Sequence, residues 1–93
     1  MVFVLAKLVA KDGKANQLKP LLEALLTPTR QEQGCVQYDL HEDVANPEIF
    51  YFYEVWENSD DVKKHGESTH IQSMRHQAAD YLMSTELSFL NRL

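Results

Sequence analysis

Residues 48–57, EIFYFYEVWE, limit the fold more than any other stretch of the chain. Apart from Glu54, the interior of this segment is β-branched or aromatic, so it reads as a strand. Alternation sends Phe50, Phe52, Glu54 and Trp56 to one side and Ile49, Tyr51, Tyr53 and Val55 to the other. Both sides are apolar. Such a strand belongs in a sheet covered on both faces, because an open apolar face would expose a patch larger than a monomer normally carries.

The rest of the chain supplies a sheet and one cover for it. Residues 1–11 (MVFVLAKLVAK) read as a first strand with Val4, Ala6 and Leu8 opposite Phe3, Leu5 and Val9, ending at the turn pair Asp12-Gly13. Leu18, Leu21, Leu22, Leu25 and Leu26 then follow helical spacing. Pro20 belongs in that helix's first turn or at a kink, and Thr27-Pro28 marks a second break. Residues 34–43 (GCVQYDLHED) alternate, with Val36, Tyr38 and Leu40 on one side and Gln37, Asp39 and His41 on the other. Ala45-Asn46-Pro47 turns this strand into residues 48–57 as a hairpin. Ser59 reads as the N-cap of a short helix over 60–65 that Gly66 ends. Residues 69–83 place Ile71, Met74, Ala78 and Leu82 on one helical face, and 85–93 alternate as a last strand.

The order β-α-β-β-α-β predicts a single α+β domain over residues 1–93 with a ferredoxin-like antiparallel sheet and both helices on one face. Two helices cover one face only. A second copy of the chain is expected to cover the other, giving a homodimer through the face of Tyr51, Tyr53 and Val55.

Composition excludes several classes of function. Fourteen acidic and nine basic side chains give a net charge of −5, and the longest basic run is Lys63-Lys64, so nucleic acid is not an expected partner. No apolar run approaches the roughly 20 residues that cross a bilayer, and the N-terminus has no signal-peptide pattern. The single cysteine, Cys35, fits a reducing compartment, and the cytoplasm is the expected location. GxGxxG, GxxxxGK[ST], CxxC, HExxH and GxSxG are all missing, so no organic cofactor is expected.

Four histidines remain: His41, His65, His70 and His76. His65 and His70 with Glu54 or Asp61 would make a set of two histidines and one carboxylate. Gly66 interrupts the helix between them and no third ligand stands at a helical spacing, so no metal is expected. His41 and His76 read as surface residues. His65 ends a helix beside the sheet face that carries Glu54. A carboxylate among aromatics needs a partner, and His65 is the expected one.

The stretch Glu32-Gln33-Gly34-Cys35 followed by Tyr38, then Phe52-Tyr53-Glu54-Val55-Trp56, then His65 and Ser68-Thr69-His70, resembles the antibiotic biosynthesis monooxygenase family of small dimeric α+β-barrel proteins. The resemblance spans nearly the whole chain and is nearest to the subgroup of quinol monooxygenases and the isomerase of phosphorylated autoinducer-2. It implies a cavity between helices and sheet, with His65 and His70 as catalytic residues and Tyr38, Phe52, Glu54 and Trp56 as substrate-binding residues. A haem-degrading branch uses an Asn, a Trp and a His, where this chain has Ala6, His65 and Met74 or Arg75, so haem is not carried over.

The implied reaction is oxygenation of a small quinol-like aromatic without metal or flavin, since a deprotonated hydroquinone can itself reduce oxygen. Tyr38, Phe52 and Trp56 would sandwich the ring. Two alternatives stand beside it. One is isomerisation of a small phosphorylated keto compound, with Lys7, Arg75 or Arg92 holding the phosphate. The other is a non-catalytic dimeric ligand-binding module.

Overall fold

The computed structural model describes residues 1–93 and builds one antiparallel sheet from four strands, β1 (Val2–Ala10), β2 (Cys35–Glu42), β3 (Ile49–Trp56) and β4 (Leu82–Leu90), in the order β2-β3-β1-β4. Each of the two helical connections is in two pieces. α1 (Ala15–Glu23) and α2 (Leu26–Arg30) join β1 to β2, and α3 (Ser59–Gly66) and α4 (Thr69–Gln77) join β3 to β4. This is the ferredoxin-like α+β arrangement that the element order predicts. No helix is long and apolar enough to cross a membrane.

The helices pack on the face carrying Val4, Ala6, Leu8, Phe50, Phe52, Glu54 and Trp56, all buried. Leu18 and Leu22 of α1 and Ile71 and Met74 of α4 close the core from above. On the opposite face Phe3, Leu5, Tyr51 and Tyr53 are only half-buried, because no element of this chain lies over them. Strand β4 is one edge of the sheet, opposite β2. Its register sets Phe89 beside Val4 and Leu87 beside Ala6 on the helix side, yet Phe89 is 63% and Leu87 56% exposed. The helices therefore stop short of β4, and the space beneath them opens along that edge.

Four boundaries differ from the sequence pattern, each for a local reason. Pro20 sits inside α1 and not in its first turn, and the break falls after Glu23, so Thr27-Pro28 lies within α2 instead of marking the break. A bulge between Cys35 and Gln37 makes Val36 the extra residue, so Cys35 pairs with Trp56 on the core face and Val36 turns outward. Asn58, not Ser59, caps α3: its Oδ1 accepts from the Asp61 N–H at 3.0 Å. The last strand starts at Leu82, paired with Ala10, rather than at residue 85, since α4 ends at Gln77.

Candidate active site

Under α3 and α4 the core leaves a cavity of about 200 Å³ with a largely apolar wall. Three strands supply its floor: Val4, Ala6 and Leu8 from β1, Tyr38 from β2, and Phe52 and Glu54 from β3. His65 and Arg75 come down from the helices, and Thr85 and Leu87 form the side toward the open β4 edge. The sites on β2 and β3 follow from alternation, since the residues that face the helices also face the hollow.

Tyr38 and Phe52 stack on each other with centroids 4.6 Å apart and planes 19° apart. They cannot sandwich a third ring between them. Together they make one flat aromatic wall. Trp56 is fully buried behind that wall and does not line the cavity, so its role differs from the substrate contact expected of it. Its Nε1–H donates to Glu54 Oε1 at 2.9 Å, and its ring packs 4.8 Å from that of His65.

Glu54 therefore takes its hydrogen bond from Trp56 and not from a histidine. It is 4% exposed, and burial, reinforced by the Glu32 charge, outweighs that hydrogen bond and pushes the carboxyl up to about 7. Glu54 is thus half-protonated near neutral pH and can offer an O–H to a bound molecule. Burial also raises the Tyr38 phenol well above its ordinary value, so it stays a neutral donor.

His65 has a different carboxylate. Its Nδ1 lies 2.6 Å from Glu32 Oε2, and His70 Nε2 lies 3.0 Å from the same oxygen. Burial pulls the His65 pKa down more strongly than Glu32 raises it, so the ring is neutral at pH 7. In a neutral ring that donates from Nδ1, Nε2 carries the lone pair. Thr29 Oγ1 is the one fully enclosed polar side-chain atom without a sound hydrogen bond, although it lies beside the Tyr38 phenol and acts against the rise in its pKa. Nε2 of His65 and Oε2 of Glu54 have no protein partner and are not sealed in, and both residues line the same cavity. His70 does not line the cavity; it stands across Glu32 on the outer side.

Glu32 is the functional residue that sequence spacing did not single out. It belongs to the turn after α2, held by its own carbonyl accepting from Cys35 N–H at 3.2 Å and by Gly34 at φ +82°. A side chain at Gly34 would run into the Asp61 carboxylate at the start of α3, so the glycine lets the turn approach the helix that carries His65. Glu32, His65 and His70 are also the one group of donors placed to hold a metal ion, with their ligand atoms within 4.8 Å of one another. The carboxylate of that group is Glu32, not Glu54 or Asp61. His41 and His76 lie on the surface as expected.

The sequence profile described as antibiotic biosynthesis monooxygenase matches residues 1–77. The chain belongs to the antibiotic biosynthesis monooxygenase family. Among solved structures, PA3566 from Pseudomonas aeruginosa superposes with a TM-score of 0.94 at 32% identity, covering 99% of this chain and 93% of that one. A Mycobacterium tuberculosis protein named "Putative monooxygenase Rv0793" is 33% identical over 81 residues, which is 87% of this chain and 79% of that protein. A Bacillus subtilis protein named "Putative monooxygenase YcnE" is 31% identical over 72 residues, 77% of this chain and 76% of that one. Within the family frame, residues 1–77 include every polar group of the cavity wall except Thr85.

Proposed function

We propose that this protein is a cofactor-independent monooxygenase that acts on a small, flat, electron-rich quinol in the cavity beneath α3 and α4. The observation that carries the reading is the placement of the His65 Nε2 lone pair and a neutral Tyr38 phenol on one apolar cavity beside a stacked aromatic wall. The monooxygenase names of two relatives and the family itself support it.

The ring lies flat against the Tyr38–Phe52 wall. His65 Nε2 takes a proton from one hydroxyl, and Glu32, accepting from Nδ1–H, stabilises the imidazolium that forms. The deprotonated quinol is electron-rich enough to pass electrons to oxygen directly. One oxygen atom ends on a ring carbon and the other leaves as water. The substrate's own oxidation to the hydroxyquinone supplies the electrons, so no external reductant is needed. The apolar wall keeps water from the reacting anion, while Tyr38 and the protonated form of Glu54 donate to the carbonyl oxygen as it develops. A second copy of the chain on the Tyr51–Tyr53 face, and a reducing cytoplasmic setting for the unpaired Cys35, complete the reading.

A second reading rests on Arg75. Of the three cations that the sequence offered for a phosphate, Arg75 alone lines the cavity; Lys7 points to the opposite sheet face and Arg92 lies past the end of β4. The same His65 would then enolise a phosphorylated ketone, a reaction without oxygen. Oxygen uptake with a naphthalenediol, measured against autoxidation and repeated anaerobically with product analysis, separates the two. Saturable uptake and a hydroxylated product support the oxygenase. Turnover of a phosphorylated ketose that persists without oxygen replaces it with the isomerase.

A further inference from the structure

Both imidazoles of the outer cluster aim at a single carboxylate oxygen. His65 Nδ1 and His70 Nε2 converge on Glu32 Oε2, while Glu32 Oε1 has no protein partner. No Lys or Arg pairs with Glu32; its only ionic contacts are the two rings. The side chains are 9%, 17% and 23% exposed for His65, Glu32 and His70, which is closed enough to hold an ion and open enough for water to complete its coordination.

We propose that Glu32, His65 and His70 bind one borderline divalent cation, of the kind exemplified by Zn2+, and that the bound cation disables His65 as a base. The first half stands on geometry alone; the second rests on the reading of His65 given above. Two imidazole nitrogens and one carboxylate suit Zn2+, Co2+ or Cu2+ and disfavour Mg2+ and Ca2+, which prefer all-oxygen sites. Around a tetrahedral ion with bonds of about 2.1 Å, ligand atoms stand roughly 3.3 Å apart. The two contacts to Glu32 Oε2, at 2.6 and 3.0 Å, thus have to lengthen by roughly 0.3 to 0.7 Å, and all three donor atoms already lie within 4.8 Å of one another. Its three side chains come from three elements, the turn after α2, the last turn of α3 and the first turn of α4, so small side-chain rotations suffice. Burial, His70 and Arg75 oppose positive charge at His65, while Glu32 favours it.

The coupling follows from imidazole chemistry. A neutral ring has one lone pair and one N–H. In the metal-free cluster Nδ1 holds the proton and Nε2 presents the lone pair to the cavity. A cation at Nδ1 takes the lone pair, and the proton moves to Nε2. The nitrogen that accepted a substrate proton becomes a donor, and proton abstraction stops.

The experiment begins with metal-stripped protein titrated with Co2+, whose visible absorption reports tetrahedral ligation, and then with Zn2+ in competition. One ion per chain is expected, and nuclear magnetic resonance should show the His65 and His70 ring signals moving while those of His41 and His76 stay. Glu32→Gln and His70→Ala should weaken binding by about 100-fold with unchanged circular dichroism, and His76→Ala should leave it intact. Absence of stoichiometric Co2+ binding, or binding that moves only the His41 and His76 signals, would overturn the site. Oxygen uptake by the metal-stripped protein should fall as Zn2+ fills the site and return with a chelator; filling without inhibition refutes the coupling. A metal-stripped protein that binds Co2+ but never takes up oxygen sinks the oxygenase reading instead, so the two failures are distinct.

Discussion

Glu32 Oε2 and His65 Nδ1 lie 2.6 Å apart although 33 positions separate them in the chain, and this contact decides which nitrogen of His65 is free to act. With Nδ1 committed to the carboxylate, Nε2 is the base. His65→Ala should lower turnover by on the order of 10²- to 10⁴-fold, the usual worth of a general base, while exposed His41→Ala should leave it unchanged. Glu32→Gln keeps the shape but no longer steadies an imidazolium, so an intermediate loss of about 10- to 100-fold is expected, mainly in kcat. Steady-state oxygen uptake on the three variants checks the order. Equal rates for His65→Ala and His41→Ala would remove His65 from the reaction.

The same contact depends on Gly34. Its φ of +82° is strained for any other residue, and a methyl group there meets the Asp61 carboxylate. Gly34→Ala should cost about 2 to 4 kcal/mol in urea unfolding and weaken the hold of Glu32 on His65. Gly13 is the control. It also has positive φ, at +73°, but nothing lies within 4 Å of an added Cβ, so Gly13→Ala should cost only about 1 kcal/mol from strain. Equal losses at the two sites would mean that the close approach to α3 adds nothing.

How far the sequence reveals this site follows from the kind of residue concerned. Tyr38, Phe52, Glu54 and His65 were legible because strand alternation and a helix end give each a fixed direction, and the sheet forced the helices onto their side. Glu32 was not, because it sits in an irregular turn with no period, and its partners lie 33 and 38 positions away. The available signal was its place two residues before Gly34 in the Glu32-Gln33-Gly34-Cys35 stretch. The partner of Glu54 differs from the expected His65 for a related reason: Trp56, two residues along the same strand face, donates to it, and a buried indole N–H needs an acceptor as much as a buried carboxyl needs a donor. The bulge at Val36 and the early start of β4 at Leu82 were hidden because each stretch still alternates in the expected way after a shift of register.

Glu54 makes stability depend on pH with a definite sign. Its carboxyl is pushed up to about 7 in the folded chain from an ordinary 4.5. Below pH 4.5 both states are protonated and burial carries no penalty. Between about 4.5 and 7 the unfolded chain ionises while the folded one resists, so stability falls as pH rises, by a total on the order of 3 kcal/mol. Glu54→Gln retains an oxygen for Trp56 Nε1–H and cannot ionise. Its advantage over the wild type should therefore be larger at pH 8 than at pH 4.5, and chemical unfolding at the two values measures it. A difference that is the same at both would show that Glu54 is not a buried titrating group.

The open sheet face sets the last expectation. Phe3 and Leu5 of β1 and Tyr51 and Tyr53 of β3 leave an apolar surface half-exposed on the side away from the helices, and Leu5 pairs directly with Tyr53 at its centre. A second copy placed against it would bury both faces of the sheet, as the apolar alternation of β3 demands. Sedimentation at micromolar concentration should give about twice 10.8 kDa. Tyr53→Asp puts a carboxylate at the middle of that contact, where the register sets it beside Asp39, and should yield monomers. Should that variant unfold, Tyr53→Ser, which trims the contact without adding charge, should raise the concentration at which the dimer forms. A wild-type chain that sediments at 10.8 kDa across the micromolar range would rule the pairing out.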